Sequence, residues 1–224
     1  MGTLLLRLAG PLQAWGISSK FETRRTEPRP TKSGVIGLLA AALGRRRDEP
    51  VEDLNALRFG VRVDQPGSLL RDFHTAHSEK TAYITDRYYL ADAVFLVGLE
   101  SGDEVFLRQL ESALRAPKFP LFLGRRSCPP TQPFVLGIRP LPLLDALGKE
   151  PWLAAEFRRP RLDAHLELSS DAAPEDRGAA MQQDQPLSFD PHCRRHGYRL
   201  EAPRGMVDKT PAGEGSHDPM SELR

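Results

Sequence analysis

Six short apolar segments that switch between two periodicities constrain this chain more than any other feature. Thr3–Ala9 is a compact apolar run closed by Gly10-Pro11, as a buried strand would be. Ser33–Leu43 changes to helical spacing: Val35, Ile36, Leu39 and Leu43 fall on one face, Thr31 or Ser33 can cap its start, and Gly44 stops it. Phe59–Asp64 alternates Phe59, Val61 and Val63 against Gly60, Arg62 and Asp64, the mark of a half-buried strand. Ala91–Leu99 sets Phe95, Val97 and Leu99 on one strand face. Asp103–Arg115 returns to the helical period through Phe106, Leu107, Leu110 and Leu114, with Asp103 as N-cap, and Phe134–Ile138 closes the series as a strand.

Strand, helix, strand, strand, helix, strand is the split βαβ order. It predicts an α+β, ferredoxin-like antiparallel sheet with two helices, a frequent platform for RNA. Residues 65–90 are too long for an ordinary hairpin loop. They hold Leu69–Thr75 and Tyr83–Leu90 on either side of a polar turn, which predicts a projecting β-hairpin over about 66–90. The stretch Gln13–Pro30 is rich in Arg, Thr and Pro without a stable period and reads as a loop, as does the Pro- and Arg-rich Phe119–Pro130. The core domain is placed at 1–147. Weaker strand signals at Leu162–Ser169 and Tyr198–Glu201, with an acidic loop Asp171–Gln185 between them, predict a small irregular C-terminal β extension over 148–207. Residues 208–224 are polar and nearly without apolar residues, so a disordered tail is expected.

With 224 residues and 40% hydrophobic content the chain can bury a core, and 18 glycines and 20 prolines agree with long loops. No apolar run approaches the roughly 20 residues that span a bilayer. Arg7 interrupts the opening apolar stretch, so neither a signal peptide nor myristoylation is expected; the two cysteines are too few for a disulfide framework. A cytoplasmic protein with no membrane association follows. Net charge is only +1, which argues against a uniformly basic nucleic-acid binder. The charge is segregated, however: Lys20–Arg47 and Arg115–Pro130 are basic, whereas Asp163–Asp190 is acidic and reads as a solvated face. Such polarity suits RNA on one surface and another partner elsewhere.

Three segments carry candidate chemistry. In Leu121-Phe122-Leu123-Gly124-Arg125-Arg126-Ser127-Cys128-Pro129, a glycine permits close backbone approach to phosphate, two guanidiniums can each grip phosphate, and Phe122 offers a ring to a base. A solvated arginine turn has the same composition. Pro30-Thr31-Lys32-Ser33-Gly34 places Lys32 and free amides at a helix N-terminus, an anion site, although a capped core helix would read identically. It is not a Walker A loop, because the glycine spacing is absent. The hairpin mixes Arg71, His74, His77, Lys80, Tyr83, Arg87, Tyr88 and Tyr89, which suits single-stranded RNA and also contains the parts of a metal-free ribonuclease. His192, Cys193 and His196 lack a fourth ligand at zinc spacing, and Cys128 reads as a small buried hydrophobe.

The run Arg7-Leu8-Ala9-Gly10-Pro11-Leu12-Gln13-Ala14-Trp15-Gly16 resembles the opening of the CasD family, subunits of the type I-E CRISPR Cascade. Pro30–Gly34, Leu70-Arg71-Asp72-Phe73-His74-Thr75, Arg87-Tyr88-Tyr89-Leu90-Ala91-Asp92-Ala93 and Leu123–Pro129 resemble its first helix, its two thumb arms and its glycine-rich loop. The resemblance implies a RAMP-type fold with an RRM-like core and a thumb. It implies a non-catalytic subunit that binds the 5′ handle of CRISPR RNA (crRNA) and caps the backbone of CasC-type subunits. Its neighbour would be the large PAM-reading subunit, with target DNA met only indirectly. The expected RNA contacts are Gln13, Trp15, Arg24, Arg25, Lys32, Ser33, Gly34, His74, Arg87, Phe122, Gly124, Arg125, Arg126 and Ser127, with no catalytic residue, metal or cofactor. The alternative is a metal-independent endoribonuclease that processes precursor crRNA, for which His74, Lys80 and Tyr83 are the candidate groups.

Overall fold

The structure, a computed structural model, describes residues 1–16, 22–77 and 81–210. Its elements run β1 (Gly2–Ala9), β2 (Leu12–Gln13), β3 (Thr23–Arg24), α1 (Lys32–Leu43), α2 (Glu52–Asn55), β4 (Arg58–Gln65), β5 (Ser68–His77), β6 (Ala82–Ala91), β7 (Val94–Ser101), α3 (Glu104–Arg115), β8 (Val135–Arg139), α4 (Leu143–Lys149), β9 (His165–Asp171), β10 (Ala180–Ser188) and β11 (Arg195–Asp208). Among the described residues no helix is long and apolar enough to cross a membrane.

Seven strands form one antiparallel sheet in the order β10-β11-β9-β4-β7-β1-β8. β1 lies between β7 and β8 and is apolar on both faces. Leu4, Leu6 and Leu8 meet Val35, Ile36, Leu39, Leu107 and Leu110 of α1 and α3 in the main core. Leu5 points the other way, with Leu96, Leu143 and Leu147. Thr31 caps α1, its hydroxyl accepting from the Gly34 N–H at 3.2 Å, and Gly44 ends it with φ 78°. Asp103 caps α3 through the Phe106 N–H at 3.0 Å.

The two-helix expectation is corrected to four α-helices among the described residues. α2 is a single turn, too short for a period to register, and α4 places Leu143, Ala146 and Leu147 on the sheet's second face. That cover also corrects the half-buried reading of β4. Arg62 and Asp64 are buried, with Arg62 Nε and Nη2 donating to Asp64 at 2.8 Å each. Arg62 also donates to the carbonyls of Leu147, Glu150 and Pro151. One guanidinium thus satisfies the carbonyls left free at the end of α4.

Residues after 147 continue the sheet through β9, which pairs with β4 from Gly60↔Ser170 to Arg62↔Leu168. The acidic loop expected over 171–185 is corrected, since β10 begins at Ala180 and Asp184 is 2% exposed. β11 runs to Asp208 and Lys209 Nζ donates to the Gly148 carbonyl at 2.7 Å, so the chain is ordered past the expected start of the tail. The remainder of that expected tail, 211–224, lies outside the described residues.

A second, four-stranded sheet carries the hairpin. β5 and β6 pair from Ser68↔Ala91 to His77↔Ala82. On the other edge of β6, β2 pairs antiparallel at Leu90–Ala91 and β3 parallel at Asp86–Arg87. The segment read as a loop over 13–30 therefore contains β3 and begins within β2, edge strands of two residues each and invisible to periodicity.

Candidate nucleic-acid interface

The Phe119–Pro130 loop is built on one glycine. Gly124 has φ 82°, and a Cβ placed there would sit 1.6 Å from the Ala14 carbonyl oxygen. Only a residue without a side chain permits that approach. The loop is pinned by Ala14 N–H donating to Leu123 O (3.1 Å), Leu123 N–H to Cys128 O (2.7 Å) and Cys128 N–H to Arg125 O (2.9 Å). Leu123 and Cys128 are buried anchors, and burial pushes the Cys128 thiol up, away from thiolate chemistry. Arg126 and Ser127 remain exposed at the tip, and Phe122 is half-buried.

Arg125 joins this loop to the second sheet. Its guanidinium lies 4.5 Å from the Tyr89 ring centroid, and Nη2 donates to the Arg24 carbonyl at 2.9 Å. β3 then sets Arg24 in register with Arg87 of β6. Arg24, Arg87, Arg125 and their neighbours Arg25 and Arg126 therefore gather where three segments converge, and Arg24, Arg25 and Arg126 are exposed. Beneath them the Tyr89 hydroxyl lies near the Arg125, Ser127 and Arg87 side chains. Burial acts to raise the Tyr89 pKa, but these three partners outweigh it and hold the phenol below its ordinary value. Among the described residues, Arg87 Nε and Arg125 Nη1 are buried without a hydrogen-bond acceptor of their own.

The hairpin register extends the same surface outward. Directly opposed residues share a face, so Tyr89, Arg87 and Thr85 lie with Leu70, Asp72 and His74. His74 Nε2 is 2.7 Å from Asp72 Oδ2. Tyr83 shares that face, and Lys80 lies outside the described residues. The opposite face exposes Leu69, Phe73 and Ile84.

Five expected RNA contacts are corrected. Gln13 is wholly buried, its amide donating to the Leu8 and Ala93 carbonyls and its oxygen accepting from Trp15 Nε1. Trp15 is 1% exposed and packs on Gly34, where a Cβ would lie 2.8 Å from the ring. Gly34 thus serves helix packing. Lys32 and Ser33 are buried as well. Lys32 Nζ meets Asp171 at 2.8 Å and its N–H donates to Asp184 at 2.7 Å, so the protein's own carboxylates occupy the anion site at the start of α1.

Those carboxylates belong to a buried ionic cluster that sequence reading took for a solvated face. Arg199 donates to Asp171 (2.9 Å) and Asp184 (2.6 Å), lies 3.6 Å from Glu201, and stacks over Phe59 at 5.3 Å. Arg29 reaches Glu201 at 3.2 Å. Although burial opposes its charge, Arg199 is held above its ordinary pKa by Asp184, Asp171 and Glu201. Charge counts along a sequence cannot separate a paired carboxylate from a hydrated one. Tyr89, named only as one of the hairpin's rings, proves to be buried, and its place two residues from Arg87 on a strand puts both on one face.

Fold and site together define a mixed α/β sheet protein with an arginine cluster raised on a glycine-dependent loop. The family model described as CRISPR-associated protein (Cas_Cas5) matches residues 3–200. The CRISPR system Cascade subunit CasD of Escherichia coli (strain K12) is 40% identical over 157 residues, 60% of this chain and 70% of that protein. A solved "Crystal structure of Cas protein" is 43% identical with TM-score 0.71, covering 92% of this chain and 95% of the other. A chain of a solved "CRISPR RNA-guided surveillance complex" is 35% identical with TM-score 0.76, covering 99% and 97%. The chain belongs to the CRISPR-associated Cas5 family.

Proposed function

We propose that this chain is a CasD-type, non-catalytic subunit of a type I-E Cascade complex, in the cytoplasm, where it holds the 5′ handle of crRNA. The observation that carries the reading is the Gly124-Arg125-Arg126-Ser127 loop, fixed against Ala14 and stacked on Tyr89. Its RNA-facing set is Arg24, Arg25, His74, Arg87, Phe122, Gly124, Arg125, Arg126 and Ser127. Guanidiniums grip phosphate oxygens, and the Phe122 ring receives a base. The order β8-β1-β7-β4, with α1 and α3 as crossovers, supports a ferredoxin-like core. We read residues 1–147 as that core, the β5–β6 hairpin as its thumb and 148–207 as a C-terminal β extension. The CasC-type backbone subunit and the large PAM-reading subunit are its proposed protein neighbours.

The test is binding of the full chain to a labelled single-stranded RNA carrying the repeat-derived handle, titrated against KCl. Each lost phosphate contact on a single strand lowers the log–log salt slope by about 0.7. Arg125→Ala/Arg126→Ala is expected to lower it by about 1.4, and an unchanged slope would show that the loop does not hold RNA.

A further inference from the structure

We propose that Tyr89 is the positioning residue of the arginine cluster, holding Arg125 with its ring and Arg87 with its hydroxyl. The inference rests on the RNA-clamp reading above and adds to it a residue that touches no RNA. Tyr89 is 3% exposed, so a nucleic acid cannot stack on it; its polar end instead lies under Arg125, Ser127 and Arg87.

Three observations converge on that role. The Arg125 guanidinium rests 4.5 Å above the Tyr89 ring, a contact that fixes the plane of a group otherwise free about several torsions. The same guanidinium spends Nη2 on the Arg24 carbonyl, tying the stacked pair to β3. Arg87 Nε and Arg125 Nη1 have no acceptor of their own among the described residues, which leaves the Tyr89 oxygen as the polar centre shared by both cations. Two guanidiniums around one neutral oxygen are under-satisfied, and an incoming phosphate can supply the missing acceptor once either cation turns outward. The phenol therefore sets both the spacing and the readiness of the pair. Asp72, opposite Arg87 on the hairpin, is the carboxylate on the same face, but it is engaged by His74.

The test measures handle-RNA binding across a KCl series for Tyr89→Phe, Tyr89→Leu, Arg125→Ala and the double variant Tyr89→Leu/Arg125→Ala. Tyr89→Phe keeps the stack and is expected to weaken binding about 3-fold. Tyr89→Leu removes both supports and is expected to weaken it about 10-fold and to lower the salt slope by about 0.7, as Arg125→Ala does. In the Arg125→Ala background, Tyr89→Leu should add only about 3-fold, the share of the hydroxyl on Arg87, because the ring and Arg125 act as one unit. The Arg125 side-chain protons give a readout without RNA: ring-current shifts present in the wild type and Tyr89→Phe should vanish in Tyr89→Leu. A Tyr89→Leu penalty that persists in full without Arg125 would overturn the inference, as would Tyr89→Phe binding at wild-type strength. Should Tyr89→Leu fail to fold, Tyr89→Phe alone decides. A wild-type chain that binds no handle RNA refutes the clamp reading instead, so the two failures are distinct.

Discussion

Gly124 offers a quantitative test of the loop's construction, because the fold contains its own control. Gly124 and Gly205 have nearly the same positive φ, 82° and 86°. A Cβ on Gly205 would meet nothing within 4 Å, whereas one on Gly124 would lie 1.6 Å from Ala14 O and 2.7 Å from Ala14 C. Gly205→Ala therefore bears only the left-handed strain, about 1 kcal/mol. Gly124→Ala bears the same strain and must also drive the loop from Ala14. Breaking Ala14 N–H···O Leu123 and loosening Leu123 N–H···O Cys128 adds about 1 kcal/mol each. The expected total is about 3 kcal/mol against about 1 kcal/mol, a difference of roughly 4–8 °C in Tm for a domain of this size. Scanning calorimetry and urea denaturation of both variants measure it. Handle-RNA binding should fall with Gly124→Ala and stay unchanged with Gly205→Ala, since Arg125 travels with the displaced loop. Equal destabilisation within about 0.5 kcal/mol would refute the claim that contact with Ala14, rather than torsion alone, demands glycine here.

Lys32→Met leaves Asp171 with Arg199 as its remaining cation and is expected to lower stability by about 2 kcal/mol by urea denaturation, while the salt slope of RNA binding stays constant; a reduced slope would return Lys32 to the RNA surface. Asp176 is held below its ordinary pKa of 3.8, chiefly by Arg204. A depressed carboxylate stabilises the fold above its unfolded pKa and loses that contribution as pH falls through the lower folded value. Thermal melts between about pH 5 and pH 2 should therefore fall less steeply for Asp176→Asn than for the wild type, and parallel curves would contradict the assignment. Full chain incubated alone with labelled repeat RNA in EDTA is expected to leave it intact; site-specific cuts that disappear in His74→Ala would instead establish the endoribonuclease alternative.

The parts of the fold legible in sequence are those whose signal is local. Leu4 to Leu8, the Val35–Leu43 stripe, and Asp103 with Leu107, Leu110 and Leu114 each declare their element through spacing and a cap. The pairing of β5 with β6 follows from two apolar arms around a polar turn. What stayed hidden depends on partners distant in the chain. Arg62 on an alternating strand reads as solvent-facing, and only α4 with the segment after it, 85 to 89 residues on, buries it. Lys32 reads as a free cation until Asp171, 139 residues away, is seen to neutralise it. Gln13 and Trp15 carried polar or aromatic chemistry suited to RNA, yet each satisfies the other inside the core. Gly124, Arg125 and Arg126 were legible because a glycine before paired arginines is itself a local signal. Tyr89 was not, because its importance lies in what stands above it.

The most direct measurement is recovery of RNA from the assembled complex. Purified with its co-expressed Cascade partners, the wild-type chain is predicted to retain a short RNA with one defined 5′ end. Arg125→Ala/Arg126→Ala complexes should lose most of that RNA under the same salt wash, while the protein's melting temperature is maintained. A double variant that folds, assembles and keeps the same RNA at wild-type occupancy would contradict the claim that this loop holds the guide.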